Sequence, residues 1–151
     1  MSAITQIKVH LMTADVDKAG TDSWIYVGVG GREFLLDLAD REDTHRGNDA
    51  TYYFGEGTNV TDPEYNDPRK PPLDTAHLDR LPVYLRMESN GSTPGWCIEW
   101  VSVTVNPDTR DAHRFTHPSL RRVTETNRIW LDNDYGKALY LLPDDDGGSE
   151  G

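Results

Sequence analysis

Between Asp15 and Gly31 the chain reads DVDKAGTDSWIYVGVGG. Asp15, Asp17 and Asp22, with Asp49 further on, offer hard carboxylate oxygens. Calcium takes six to eight such oxygens at about 2.3–2.6 Å, mixing carboxylates with backbone and amide carbonyls. Carboxylates gathered around one point repel one another until a cation enters. Asp and Gly are also the favoured turn residues, and Asp22 is equally suited to capping backbone amides ahead of a strand. Residue types alone leave both readings open.

Other chemistry finds less support. His113 and His117 have the i, i+4 spacing of a helical metal pair in HRFTH, but the Glu of a His-Glu-x-x-His site is missing and Pro118 ends any helix. With a single cysteine, Cys97, and no Cys/His cluster, zinc is not expected. YGKA, from Tyr135 to Ala138, lacks the rest of a phosphate loop. No Ser, Asp or Glu stands in a recognisable nucleophile context, so no enzyme activity is expected. Asn59 and Asn90 fit glycosylation sequons, which without a leader read as chance.

The 151 residues carry a net charge of −11. The last eight, DDDGGSEG, contribute −4 of it, which leaves −7 on the body. Such a surface repels nucleic acid and anionic lipid and favours multivalent cations, so no nucleic-acid partner is expected. One cysteine makes no internal disulfide, and Cys97 reads as a buried, inert thiol. MSAITQIKVHL has no signal-peptide core and no stretch is long enough to span a bilayer, so a cytoplasmic or peripheral membrane location is expected.

The elements that must hold these residues are strands. Ile7, Val9 and Leu11 alternate with Gln6, Lys8 and His10, a half-buried strand. SWIYVGV alternates likewise, and Gly30–Gly31 turns it into REFLLDL as a hairpin. TYYF, PVYLRM, WCIEWVSVTV, RIWL and KALYLL complete the set, with a parity flip near Glu99 and Trp100 that predicts a β-bulge. From Gly55 to about His77 all period stops, and a long surface loop rich in Pro, Gly and Asp is expected, mobile or functional. PSLRRVTETN suggests a helical turn or two at most. Seven or eight short strands give an all-β antiparallel sandwich or barrel. It occupies residues 1–143, with an acidic tail over 144–151.

Several of these segments together resemble the PLAT/LH2 family (polycystin-1, lipoxygenase, alpha-toxin domain). TADVDKAGTDSWIYVGVGG is similar to its first element, a strand ending in a G-T-D loop before an alternating strand. HRGNDATYYF is similar to its Arg-Gly element, and LDRLPVYLRMESNGSTPGWCIEWVSVTV to its most specific one, with Pro-Gly-Trp opening a flipped strand. RIWLDNDYGKALYLLP resembles its closing element. The Gly55–His77 loop is longer than the family's, and Glu125 and Asn127 stand near the place of its Phe-x-Cys.

The resemblance implies a C2-like sandwich of two four-stranded sheets standing alone, without a catalytic neighbour. By position it implies a calcium site at one end, formed by the Gly20 carbonyl, Asp22, Asn48, Asp49 and Glu88, with Thr13 or Thr21 adding a carbonyl. Magnesium suits such a set less, because it demands a tight octahedron. Trp96 and Trp130 match core positions. Trp24, Tyr52 and Tyr65 are the candidate membrane or ligand contacts, since exposed Trp and Tyr insert at bilayer interfaces or stack on sugars. The expected function is a non-catalytic module for membrane-lipid or protein binding. A metal-free protein-interaction subunit and a carbohydrate-binding sandwich are the alternatives.

Overall fold

Alternation makes the first strand: in β1, Gln6–Thr13, every second side chain from Ile7 to Thr13 is buried. β1 lies between β4 (Asp49–Gly55) and β6 (Trp96–Val105) in an antiparallel ladder. β6 carries the predicted bulge: Met12 faces Trp100 but Thr13 faces Ile98, so Glu99 is the extra residue. The bulge lets Trp96 and Ile98 reach the core alongside Val101, Val103 and Val105. β2 (Trp24–Val29) and β3 (Arg32–Leu35) form the expected hairpin. Its turn glycines have φ of +62° and +92°, values that a side chain at either place would strain.

β5 (Val83–Glu88) pairs with β2 and with β9 (Ala138–Pro143). The computed structural model describes residues 2–120 and 128–144. Across them the strand order is β3-β2-β5-β9-β7-β6-β1-β4, with the short β8 (Ile129–Leu131) against β6. Two four-stranded layers, β3-β2-β5-β9 and β7-β6-β1-β4, enclose one core, and β9 passes from β5 to β7 to join them. The fold is the expected all-β antiparallel sandwich. β7 (His113–Thr116) is a strand that the sequence reading did not anticipate. Four residues along a strand span about 13 Å, so His113 and His117 do not share a metal; His113 Nε2 instead stands 3.0 Å from Asp111 Oδ1. Residues 121–127 and 145–151 lie outside the described residues, and with them most of the suggested helical turn, Glu125, Asn127 and the acidic tail beyond Asp144.

Order in the long loop comes from side chains rather than period. The buried Asn66 accepts from the Leu35 amide and donates to the Thr61 and Asp62 carbonyls. Asn59 accepts from the Tyr53 amide and donates to the Thr51 carbonyl. Arg32 reaches the carbonyls of Tyr65, Asp67 and Lys70. A single 3-10 turn, Thr75–His77, capped by Asp74, closes the segment.

Candidate functional site at the loop end

β1, β3, β5 and β8 end where β2, β4, β6 and β9 begin, because their pairing is antiparallel. The connecting loops are bonded into one unit. Thr21 Oγ1 donates to the Pro94 carbonyl at 2.7 Å and accepts from the Ser23 amide at 3.0 Å. Thr44 Oγ1 donates to the Thr21 carbonyl, whose amide in turn donates to the Thr44 carbonyl. Ala14 and Ala19 exchange backbone bonds with Cys97. A Cβ on Gly20 would lie 2.8 Å from the Arg46 backbone nitrogen, so AGTD is the knot where two loops pack backbone to backbone. Cys97 beside it is fully buried, and burial pushes its thiol up to about 11.

Gly20 and Asp22 line a cleft of about 610 Å³ together with Asp37, Glu42 and Asp43; Asn48, Asp49 and Glu88 do not line it. Burial holds the Asp43 carboxyl above the usual carboxylate range, and the Asp37 charge adds to this against the Leu38 amide that bonds it. Asn48 is buried and structural: it donates to the Asp43 carbonyl and accepts from Arg41 Nη1. His10 Nε2 stands 2.7 Å from Asp49 Oδ1, and Arg86 Nη1 donates to Glu88 at 2.9 Å.

Asp49 projects outward with Thr51 and Tyr53 from one layer, and Glu88 outward with Tyr84 and Arg86 from the other. Layers of a sandwich pack about 10 Å apart, so outward-facing acids on opposite layers do not meet on one ion. Of the two threonines, Thr21 has its carbonyl bonded to Thr44 Oγ1. As arranged, the five residues do not form a calcium shell. Among the described residues, no group of three or more His, Cys, Asp or Glu side chains is placed to hold a metal ion.

The aromatic expectations divide. Trp24 is 48% exposed at the start of β2, at the loop end. Tyr65 is 74% exposed but sits on the long loop, at the opposite end. Tyr52 needs correction as a surface contact: it is fully buried, because it shares the inward parity of Phe54 on β4. Burial, then the nearby Asp43 charge, raises its phenol well above the ordinary range, although no hydrogen bond of ordinary geometry reaches the hydroxyl. Trp96 is core as expected, but Trp130 is 38% exposed. β8 buries Leu131, so its neighbour Trp130 faces out. Trp130 precedes the Asp132–Gly136 turn and Tyr135, 63% exposed, lies within it, at the same end as Trp24.

No family model and no curated protein matches the chain. Solved structures share its fold. The alpha toxin of Clostridium absonum superposes with a TM-score of 0.58 at 21% identity, over 93% of this chain and 32% of the toxin. The Clostridium perfringens alpha-toxin of avian strain SWCP gives 0.54 at 16% identity, over 93% and 31%. Coral 8R-lipoxygenase, in which a C2-like domain mediates calcium activation, gives 0.54 at 19% identity, over 91% of this chain and 17% of the enzyme. The chain thus has the PLAT/C2-like sandwich fold, and it spans about a third of the toxins and a sixth of the lipoxygenase. None of the described helices is long and apolar enough to cross a membrane.

Proposed function

We propose that this chain is a non-catalytic attachment module whose loop end meets a membrane surface or a protein docked there. The observation that carries the reading is that Trp24, Trp130 and Tyr135 are all exposed at the one end of the sandwich whose loops Thr21 and Thr44 bond together. Aromatic rings of this kind favour the interfacial region of a bilayer. The net charge of −11 opposes anionic headgroups, so zwitterionic surfaces suit the protein better unless cations intervene. Sedimentation with phosphatidylcholine and with phosphatidylglycerol vesicles, each with calcium and with EDTA, tests this. Binding to at least one composition that falls in Trp24→Ala is expected; negligible binding in all four mixtures removes the membrane part.

Calcium activation of coral 8R-lipoxygenase through a C2-like domain supports a second reading, in which calcium remodels this end. Gathering Gly20, Asp22, Asn48, Asp49 and Glu88 on one ion requires Asp49 to leave His10, Asn48 to leave Arg41 and Glu88 to leave Arg86. Thermal unfolding in EDTA, calcium and magnesium at matched ionic strength checks it. A ligand at a hundred times its Kd adds about 2.7 kcal/mol, several degrees at this size. A rise in calcium alone supports the reading, and no rise at millimolar calcium counts against it.

A further inference from the structure

A second cleft, of about 560 Å³, opens at the loop end between the β1–β2 loop, the 89–95 turn and the Asp132–Gly136 turn. Trp130 and Tyr135 line it, with Asp17, Asp132 and Asp134 against the single cation Lys18. Asp17 and Asp134 make no side-chain hydrogen bond or ion pair among the described residues. Asp132 is fixed: Oδ1 accepts the Asn133 amide at 2.6 Å, and Oδ2 lies only 2.8 Å from where a Cβ on Gly95 would stand. Gly95, by having no side chain, leaves Asp132 its place against the backbone.

Acids alone would not single out a ligand here; the two rings do. An anionic group is repelled by three carboxylates facing one ammonium. A hard metal ion keeps its water and oxygen ligands in preference to indole and phenol faces, and a purely apolar ligand leaves the acids unused. A cation with an apolar shell uses both, through cation–π attraction to the rings and charge attraction to the carboxylates.

We infer that this cleft binds a quaternary ammonium group. The inference deepens the reading of the loop end as the contact surface and rests on it. The group comes either from the choline headgroup of a zwitterionic lipid or from a free choline-type molecule. Trp130 and Tyr135 supply the ring faces, and Asp17, Asp132 and Asp134 the counter-charge.

The test is a calorimetric titration of the full chain with choline chloride, against ammonium and sodium chloride at matched ionic strength. It is repeated on Trp130→Ala and Tyr135→Ala, with a thermal melt of each to confirm folding. Saturable choline binding, weakened roughly tenfold or more in both variants, is expected. A conservative Tyr135→Phe, which keeps a ring, retains most of the binding, and this guards against a variant that fails to fold. Choline heats indistinguishable from those of ammonium and sodium overturn the inference, and so does choline binding unchanged in Trp130→Ala. Phosphatidylcholine vesicles then separate the sources: sedimentation competed by free choline assigns the lipid headgroup, whereas choline binding without sedimentation assigns the free molecule. Sedimentation that choline does not compete likewise assigns the free molecule, with membrane attachment running through another part of the loop end.

Discussion

The long loop, from Gly55 to His77, and the loop end are built from the same residue types and use them in opposite ways. In the long loop, Asn59, Asn66 and Asp67 turn inward and bond to backbone and neighbouring side chains, which gives a segment with no periodicity a defined path. At the loop end, backbone and hydroxyl groups knit the loops together, while Asp17, Asp22 and Asp134 and the rings of Trp24, Trp130 and Tyr135 face solvent. The difference teaches that an acidic, glycine-rich stretch is a site only where its side chains remain uncommitted. Asn48 shows the same rule inside the loop end, since it is buried and fully engaged there.

If the long loop is structural, breaking it should cost most. Gly55 has φ of +85°, and a Cβ there would lie 2.4 Å from the Thr5 carbonyl oxygen. Gly55→Ala combines left-handed strain with a backbone clash, and a loss of about 3 kcal/mol or more is expected. That is a fall in Tm of roughly 10 °C, measured by calorimetry. Asn66→Ala comes next, because it leaves the Leu35 amide and two carbonyls without their side-chain partner. About 2 kcal/mol is expected, as a lowered urea midpoint at unchanged slope. A loss below about 0.5 kcal/mol in either would show that the long loop is not held as described.

Acid sharpens the comparison where the long loop closes, at Thr75. Hydrogen bonds from Ser2, Thr75 and His113 hold the Asp111 carboxyl down at about 2. A depressed carboxylate stabilises the fold above its unfolded value, about 4, and that contribution is lost as pH falls through about 2. The Tm of the native chain should therefore decline between pH 4 and pH 2 more steeply than that of Asp111→Asn. Parallel declines would show that the tie from Ser2 and Thr75 to His113 contributes little.

Much of the fold was legible because it rests on parity. Ile7, Val9 and Leu11 marked β1, and the flip at Glu99 marked the bulge, since a one-residue insertion has to reverse the buried side. β7 was not legible, because four residues with one buried side chain, Phe115, make no pattern. The order of the long loop was hidden for a different reason. Its Pro, Asp and Asn content matches that of a mobile segment, and only the partners of Asn66 and Arg32, some thirty residues away in the chain, distinguish the two. At the loop end Gly20 and Asp22 line the cleft and Trp24 is exposed, but the engagement of Asp49 by His10 and of Glu88 by Arg86 depends on register across strands. Trp130 escaped because a three-residue strand at a sheet margin fixes parity weakly.

The smallest expected effects are the most telling for the comparison. Asp22 and Asp134 are exposed, their carboxylates carry no ion pair among the described residues, and each adds to a surface already at −11. Asp22→Asn and Asp134→Asn should shift stability by less than about 0.5 kcal/mol, toward stabilisation if anything, because each removes self-repulsion. The check is a pair of denaturant curves at low and at 0.5 M salt, with the small gain shrinking as salt screens the surface. A loss of 1 kcal/mol or more in either variant would mean that these acids hold the loop end as Asn66 holds the long loop. The contrast between a committed loop and an available end would then fail, and with it the reason for placing the contact surface there.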